Sequence, residues 1–344
     1  MKPELSVVVP ALDEAQALPP LLRQIAGQQQ IRLEVIVADG GSADGTVGIA
    51  RSAGAKVIMA PRGRAAQMNA GAGQATADFL LFLHADSELL QPRLLTDALQ
   101  ALRRALADAG HARIAGHFPL RFSGTSPRHD SFYRYLEGKT RLNRPYTING
   151  DQGLLIARAF FDELGGFDQR LPFLEDQRIA AKIFARGGWI VLPGELVTSA
   201  RRFEAEGPAQ RYTLMALIMG LHAGGADAFF AALPQIYAAH ADTGRLDLRP
   251  FVAAIEKYLQ GLGFVERWRL LYRIGRFIRE NTWQLFYRRD FIAGAQLRPR
   301  LRFCDRFVEP LVRNPAASAL AAVLARAWFL LWLPRWIDAA DPHA

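Results

Sequence analysis

The chain has 344 residues, half of them hydrophobic and 22% charged. This is a globular composition, with apolar material for a core and length for one large or two ordinary domains. A single cysteine, Cys304, excludes a disulfide framework and fits a reducing cytoplasm. The net charge of +9 is concentrated: between Glu266 and Arg306 eleven arginines stand against four acids. Such a patch attracts an anionic partner: phospholipid, nucleic acid or a phosphorylated substrate.

The N-terminus has no basic region or cleavage site, so no signal peptide is expected. Leu5–Val9 reads as an apolar strand ended by Pro10, and Ala17 to Ile25 has helical spacing. Leu33–Ala38 reads as a second strand ending at Asp39. Gly40, Gly41 and Gly45 then mark a turn, and Thr46 opens a helix towards Ala53. Lys56–Met59 is a third strand and Arg64 to Gln74 a helix of small residues. Phe79–Leu83 is a fourth strand, delivering His84-Ala85-Asp86. Short apolar strands alternating with helices predict an α/β fold with a mostly parallel sheet covered on both faces. Ligands of such sheets bind beyond the carboxyl ends of the strands, where Asp13, Glu14, Asp39 and Asp86 fall. From about Gln210 long apolar-aromatic helical patterns replace the strands, so the expected division is 1–209 and 210–344.

Each motif has two readings. Asp39, followed by Gly40-Gly41-Ser42-Ala43-Asp44-Gly45-Thr46, could accept hydrogen bonds from a nucleobase or ribose, with glycines permitting close backbone approach. The same residues also make a tight turn with Ser42 or Asp44 capping a helix. Arg64 precedes a helix carrying Gln67 and Asn69; a helix N-terminus with an arginine suits a diphosphate, or the arginine is simply solvated. Asp86 could hold Mg²⁺ or Mn²⁺, hard cations that keep several waters and few protein ligands, or could cap the next helix. Glu175 and Asp176 could supply a general base to an acceptor hydroxyl, or compensate a helix dipole. Arg201 and Arg202, after strand-like Trp189–Leu192, could neutralise a leaving diphosphate or be surface charge.

The order of these segments resembles the family-2 glycosyltransferases over about residues 5 to 205: Val7-Val8-Val9-Pro10-Ala11-Leu12-Asp13-Glu14, the Asp39–Thr46 turn, Gly63 to Gly71, His84-Ala85-Asp86, Gly165-Gly166-Phe167 and Glu175-Asp176. The Gly63–Gly71 run, Phe82–Asp86, Gly150-Asp151-Gln152-Gly153 and Ser199–Arg202 look like a bacterial branch often labelled arsenosugar-biosynthesis glycosyltransferases. The resemblance implies a GT-A fold and inverting, metal-assisted transfer of a sugar from a nucleotide-sugar, a UDP-sugar first and a GDP-sugar next. It implies that Pro10, Ala11, Glu14 and Asp39 line the nucleoside pocket, with Arg64 near ribose and diphosphate. Asp86 would bind the metal, and Asp176 would be the base, supported by Glu175. Gly150, Asp151 and Gly166 would lie on the acceptor side. His84 stands where the family carries a further acid, removing one negative charge from the metal site.

In the C-terminal third, Leu270, Ile274, Phe277 and Ile278 share a helical face beside Arg269, Arg273 and Arg276. The basic, aromatic stretch 264–306 reads either as a membrane-surface contact or as a subdomain packed on its own core. Ala316–Leu333 is long enough to span a bilayer, but Arg326 near its middle favours a buried or surface-lying helix. The expected location is cytoplasmic, peripheral on the inner face of a membrane if that contact forms.

A dinucleotide-dependent oxidoreductase would need Gly-x-Gly-x-x-Gly after the first strand; Pro10-Ala11-Leu12-Asp13-Glu14-Ala15 is acidic and glycine-free. A nucleotidyltransferase fails at the same loop, which it would want glycine-rich and basic. Nucleic-acid binding rests on the basic segment alone, with no readout fold. The remaining alternative is a non-catalytic nucleotide-sugar-binding protein on the same fold.

Overall fold

The computed structural model describes residues 2–170, 172–230 and 245–339. It divides into two units, Met1–Arg201 and Arg202–Ala344. Gln210, where the change of character was expected, lies inside the helix Pro208–Gly224.

The first unit has the expected α/β fold, a mostly parallel sheet between helices. A seven-stranded sheet runs β3-β2-β1-β4-β7-β5-β8. The strands are β1 (Leu5–Ala11), β2 (Leu33–Asp39), β3 (Lys56–Met59), β4 (Phe79–Phe82), β5 (Ile114–His117), β7 (Leu154–Ala157) and β8 (Gly188–Val191). β6 (Leu120–Ser123) and β9 (Leu196–Ser199) form a separate parallel pair. β1 pairs in parallel with β2 on one side and β4 on the other, and β7 enters antiparallel to β4 and β5. Helices α1 (Leu18–Ala26), α2 (Thr46–Ser52) and α3 (Arg64–Gln74) connect the first four strands, and α4 (Leu94–Ala109) leads to β5. Later come α5 (Asp130–Thr140), α6 (Arg158–Glu163) and α7 (Glu175–Arg186).

Alternation explains why β1, apart from Ser6, and β4 are apolar throughout. Val7, Val9, Leu81 and Leu83 join the core on one face, with Leu18, Leu21 and Leu95. Val8, Leu80 and Phe82 join the core on the other, with Met68, Ile156 and Phe160. Both faces are dry, so every residue of β1 is buried. The helix at Arg64 to Gln74 falls as the sequence suggests, whereas β5 and β7 carried no clear signal. Four residues with Gly116 and His117 among them, or Leu154–Ala157 alone, are too short to separate from buried loop.

Strand order reverses between β1 and β4, so the loops leaving them open a crevice at the carboxyl edge. α3 is pressed onto this point. A Cβ on Gly71 would lie 2.3 Å from Val8 Cγ1, far inside contact distance, so only glycine lets the helix approach so closely.

The second unit is helical in its described part. Its main helices are Pro208–Gly224, Arg249–Gly261, Phe264–Glu280, Trp283–Ile292 and the continuous helical stretch Pro315–Ala339, which contains a π-helical turn at Trp328–Trp332. Leu270 and Ile274 pack against Gly224 of the first of these, and Trp283 and Tyr287 are buried.

Gly71→Ala should destabilise the protein by about 1–3 kcal/mol through overpacking, outweighing the roughly 1 kcal/mol that alanine gains in helix propensity. Denaturant titration measures the loss, and adding Val8→Ala, which removes the obstructing methyls, should recover part of it. A neutral Gly71→Ala would show that α3 does not depend on this approach.

Candidate functional site

The carboxyl edge is built from two clasped loops and one helix start. Loop β1–α1 and loop β2–α2 hold each other through four hydrogen bonds. Asp13 N–H donates to Ser42 Oγ at 2.9 Å, and Ala43 N–H returns one to Asp13 Oδ1 at 2.8 Å. Glu14 N–H donates to Thr46 Oγ1 at 2.8 Å and Ala15 N–H to Asp44 Oδ2 at 3.0 Å. Ser42 Oγ in turn donates to Asp39 Oδ1 at 2.5 Å. Asp39 is fully buried, and its other oxygen accepts from Gly41 N–H and Ser42 N–H at 2.9 and 3.0 Å. Its carboxylate thus accepts three hydrogen bonds within its own turn. Ser42, Asp44 and Thr46, which read as turn formers, also tie the two loops together.

Pro10 and Ala11 end β1 opposite Ala38 and Asp39. The Ala11 carbonyl accepts from Gly40 N–H at 2.9 Å and from Gln67 Nε2 at 2.6 Å. Gln67 also donates to the Ala38 carbonyl at 2.9 Å, and Asn69 clamps both the N–H and the carbonyl of Phe167. Of the polar groups on α3 that could face a diphosphate, these two are occupied in holding the sheet edge and the 165–167 turn. Arg64 remains.

Glu14 and Asp86 leave the neighbouring strands β1 and β4. Burial pushes the Glu14 carboxyl above its ordinary range, and the Asp86 charge adds to this; Arg201, Arg64 and His84 oppose it. Two carboxylates are thus held in one crevice with cations around them. Among the described residues nothing donates a hydrogen bond to the Asp86 carboxylate.

Arg64, about half exposed, reaches the buried Glu175 at 3.4 Å. Burial raises the Glu175 carboxyl, the Asp176 charge raises it further, and Arg64 opposes both. α7 begins at Glu175 itself, so both acids sit in its first turn, where the macrodipole favours negative charge. Asp176 Oδ2 accepts from Gly150 N–H at 2.8 Å and Oδ1 from Gln177 N–H at 2.7 Å.

The Asn149–Gln152 turn joins Asp176 to the floor of the crevice. His84 Nδ1 lies 2.8 Å from Asp151 Oδ1. The His84 ring packs so tightly on Gly150 that a Cβ there would meet it at 2.9 Å. The histidine in the family's acidic position therefore has a partner, and that partner is a residue expected on the acceptor side. His84, Gly150, Glu175 and Asp176 line one small cavity of about 30 Å³ together with Met68 and Phe82.

Three other residues lie differently. Gly166 has φ +65° and faces the Asn69 side chain, so it serves the Asn69 clamp. Asp168 is gripped by Arg170 and Arg178, which hold its carboxyl far below the usual range. Arg202 pairs with Glu206 on its own helix at 3.8 Å. Sequence reasoning did not anticipate the Arg64–Glu175 and His84–Asp151 pairs, because each joins segments far apart in the chain and no local pattern announces them.

Residues 6–165 match the family described as Glycosyl transferase family 2. The 4,4'-diaponeurosporenoate glycosyltransferase of Staphylococcus haemolyticus is 36% identical over 108 residues, 29% of this chain and 28% of that one. A PGL/p-HBAD biosynthesis glycosyltransferase of Mycobacterium bovis is 36% identical over 96 residues, 26% and 38% of the two chains. The match thus spans well under half the length of these curated relatives. Among solved structures, the mannosyltransferase PcManGT of Pyrobaculum calidifontis, in complex with GDP-Man and Mn²⁺, superposes with a TM-score of 0.47 at 19% identity, covering 95% of this chain and 88% of that one.

The raised Glu175 carboxyl has a consequence for stability. Below its ordinary pKa of 4.5 the group is protonated in both states. As pH rises above that, the unfolded chain ionises freely while the folded carboxyl resists, so the wild type loses stability. Tm measured from pH 4 to pH 8 should show Glu175→Gln gaining on the wild type as pH rises; a constant difference would mean that burial does not raise this group.

Proposed function

We propose that this chain, residues 6–165 of which match the family described as Glycosyl transferase family 2, moves a sugar from a nucleotide-sugar donor to an acceptor hydroxyl with inversion at the anomeric carbon. The observation that carries the reading is the meeting, at one strand-order reversal, of the unpartnered Asp86, the half-buried Glu14 and an arginine that reaches across to Glu175, beside Asp176.

In this reading Pro10, Ala11 and the Asp39 turn form the wall against which a nucleoside stacks, with a UDP-sugar as the first expected donor and a GDP-sugar the second. Arg64 and Arg201 face the diphosphate. Asp176 takes the proton of the acceptor hydroxyl as it attacks; hydrogen bonds from Gly150 N–H, Gln177 N–H and Gln177 Nε2 hold the carboxylate while leaving a lone pair free on Oδ1. Glu175 fixes Arg64, and Gly150 and Asp151 present the acceptor side.

Asp86 and Glu14 fit a divalent cation. Both are hard oxygen donors, Asp86 is free of protein donors, and a cation would relieve their mutual repulsion. No group of three or more metal-ligating side chains occurs among the described residues, which suits Mg²⁺ or Mn²⁺ held by few protein ligands with waters and phosphates. When bound, such an ion supplies charge neutralisation to the departing diphosphate. In this reading the basic segment 264–306 of the C-terminal unit meets a membrane surface.

A thermal-shift panel of UDP, GDP and dTDP with and without Mn²⁺ tests the reading. At a hundred times Kd, linkage predicts a shift of about 5 °C for the preferred nucleotide. Asp86→Asn should lose the Mn²⁺-dependent part of that shift. Asp176→Asn should keep donor binding and lose transfer by about a hundredfold or more. Undiminished transfer by Asp176→Asn would remove the base assignment. Nucleotide binding without metal-dependent release of the diphosphate would identify a non-catalytic binding protein.

A further inference from the structure

Within the C-terminal unit, the helix Phe264–Glu280 and the stretch Pro315–Ala339 meet at a close crossing. A Cβ on Gly275 would lie 2.2 Å from the Ser318 carbonyl oxygen and 2.6 Å from Ala322 N. Beside this crossing an open groove of about 310 Å³ lies between the helices. Trp268 and Leu271 form one wall, and Val323, Ala327, Leu330 and Leu331 the other.

One lining residue is charged. Arg326 opens onto the groove and is exposed, and no described residue pairs with it. An unpaired guanidinium beside an apolar trough is complementary to a ligand with a hydrocarbon chain and an anionic head. The apolar surface continues beyond the groove. Leu320, Leu324, Leu331 and Trp332 are each more than half exposed, and only 17% of the most apolar window of Pro315–Ala339 is buried. Trp328, Trp332 and Trp336 stack along the helix at 6.0 and 6.4 Å, a row suited to the headgroup level of a bilayer. A monomer in water rarely leaves so much contiguous apolar surface open.

We propose that the groove takes an acyl chain of an anionic membrane lipid, with Arg326 on its phosphate, and that this seats the C-terminal unit in the bilayer surface. The proposal rests on the membrane partner in the reading above and locates its surface, away from the Leu270 and Ile274 face that packs on Gly224. The helix lies in the interface rather than across it, since a span would carry Arg326 into the hydrocarbon. A second copy of the chain is the poorer occupant, because the eleven arginines of 266–306 would repel their own kind and attract anionic headgroups.

The test uses the full chain and vesicles of phosphatidylcholine, alone or mixed with phosphatidylglycerol. Sedimentation should show uptake on the anionic vesicles. Arg326→Gln should weaken it about fivefold, the factor expected for one arginine at an anionic surface, and Leu331→Asp more strongly, with both variants keeping the wild-type Tm. Lipids brominated in the acyl chain should quench tryptophan fluorescence, and Trp268→Phe should remove part of that quenching. Absence of vesicle uptake, or uptake unchanged in both variants, overturns the proposal. So does a dimer in solution that Leu331→Asp dissolves, or binding of decanoate in solution without vesicle uptake. A nucleotide shift that persists while vesicle binding fails leaves the transferase reading standing and removes only the docking.

Discussion

The site depends on the burial of β1 on both faces between two parallel neighbours. Because β2 and β4 flank it and all three strands point the same way, their exits emerge side by side. Connections that proceed outward in opposite directions part there and leave a gap. Val8 fixes how deep that gap is, since the methyl that meets Gly71 sets the distance between α3 and the sheet. Arg64, at the first position of the same helix, inherits that placement. A packing contact inside the core thus positions a cation at the surface.

Charge is arranged around this gap in opposition. Glu14 and Glu175 are each made reluctant to ionise by burial and by a neighbouring carboxylate, and each is answered by an arginine. Such a site holds a surplus of unfavourable interactions that a charged ligand would rebalance. Perturbed carboxylates of this kind gather where chemistry is done, and the stability given up at the gap is supplied by the cores on either side of the sheet.

Much of this could be read from the residues alone. The first four strands, the small-residue helix and the acids beyond the strand ends followed from hydropathy and glycine placement, which are local properties. Asp39 was legible in type but not in role, because a strand-end acid before Gly-Gly-Ser suits a ligand and a turn equally; its three hydrogen bonds lie within that turn. Gln67 and Asn69 were ambiguous for a related reason. Polar side chains near a helix start resemble ligand donors until the carbonyls of Ala11, Ala38 and Phe167 are seen to occupy them. Pairings such as His84 with Asp151 depend on which distant loops the topology brings together, and that information is not local. Strands of four residues gave too few alternations for their period to be recognised.

The mutual clasp of the first two loops bears on how a ligand arrives. With the 13–15 and 39–46 backbones already bridged to each other, that end of the cleft is ordered before anything enters it, so little conformational entropy remains to be lost there. The protein would meet its ligand at that end as a fixed jaw.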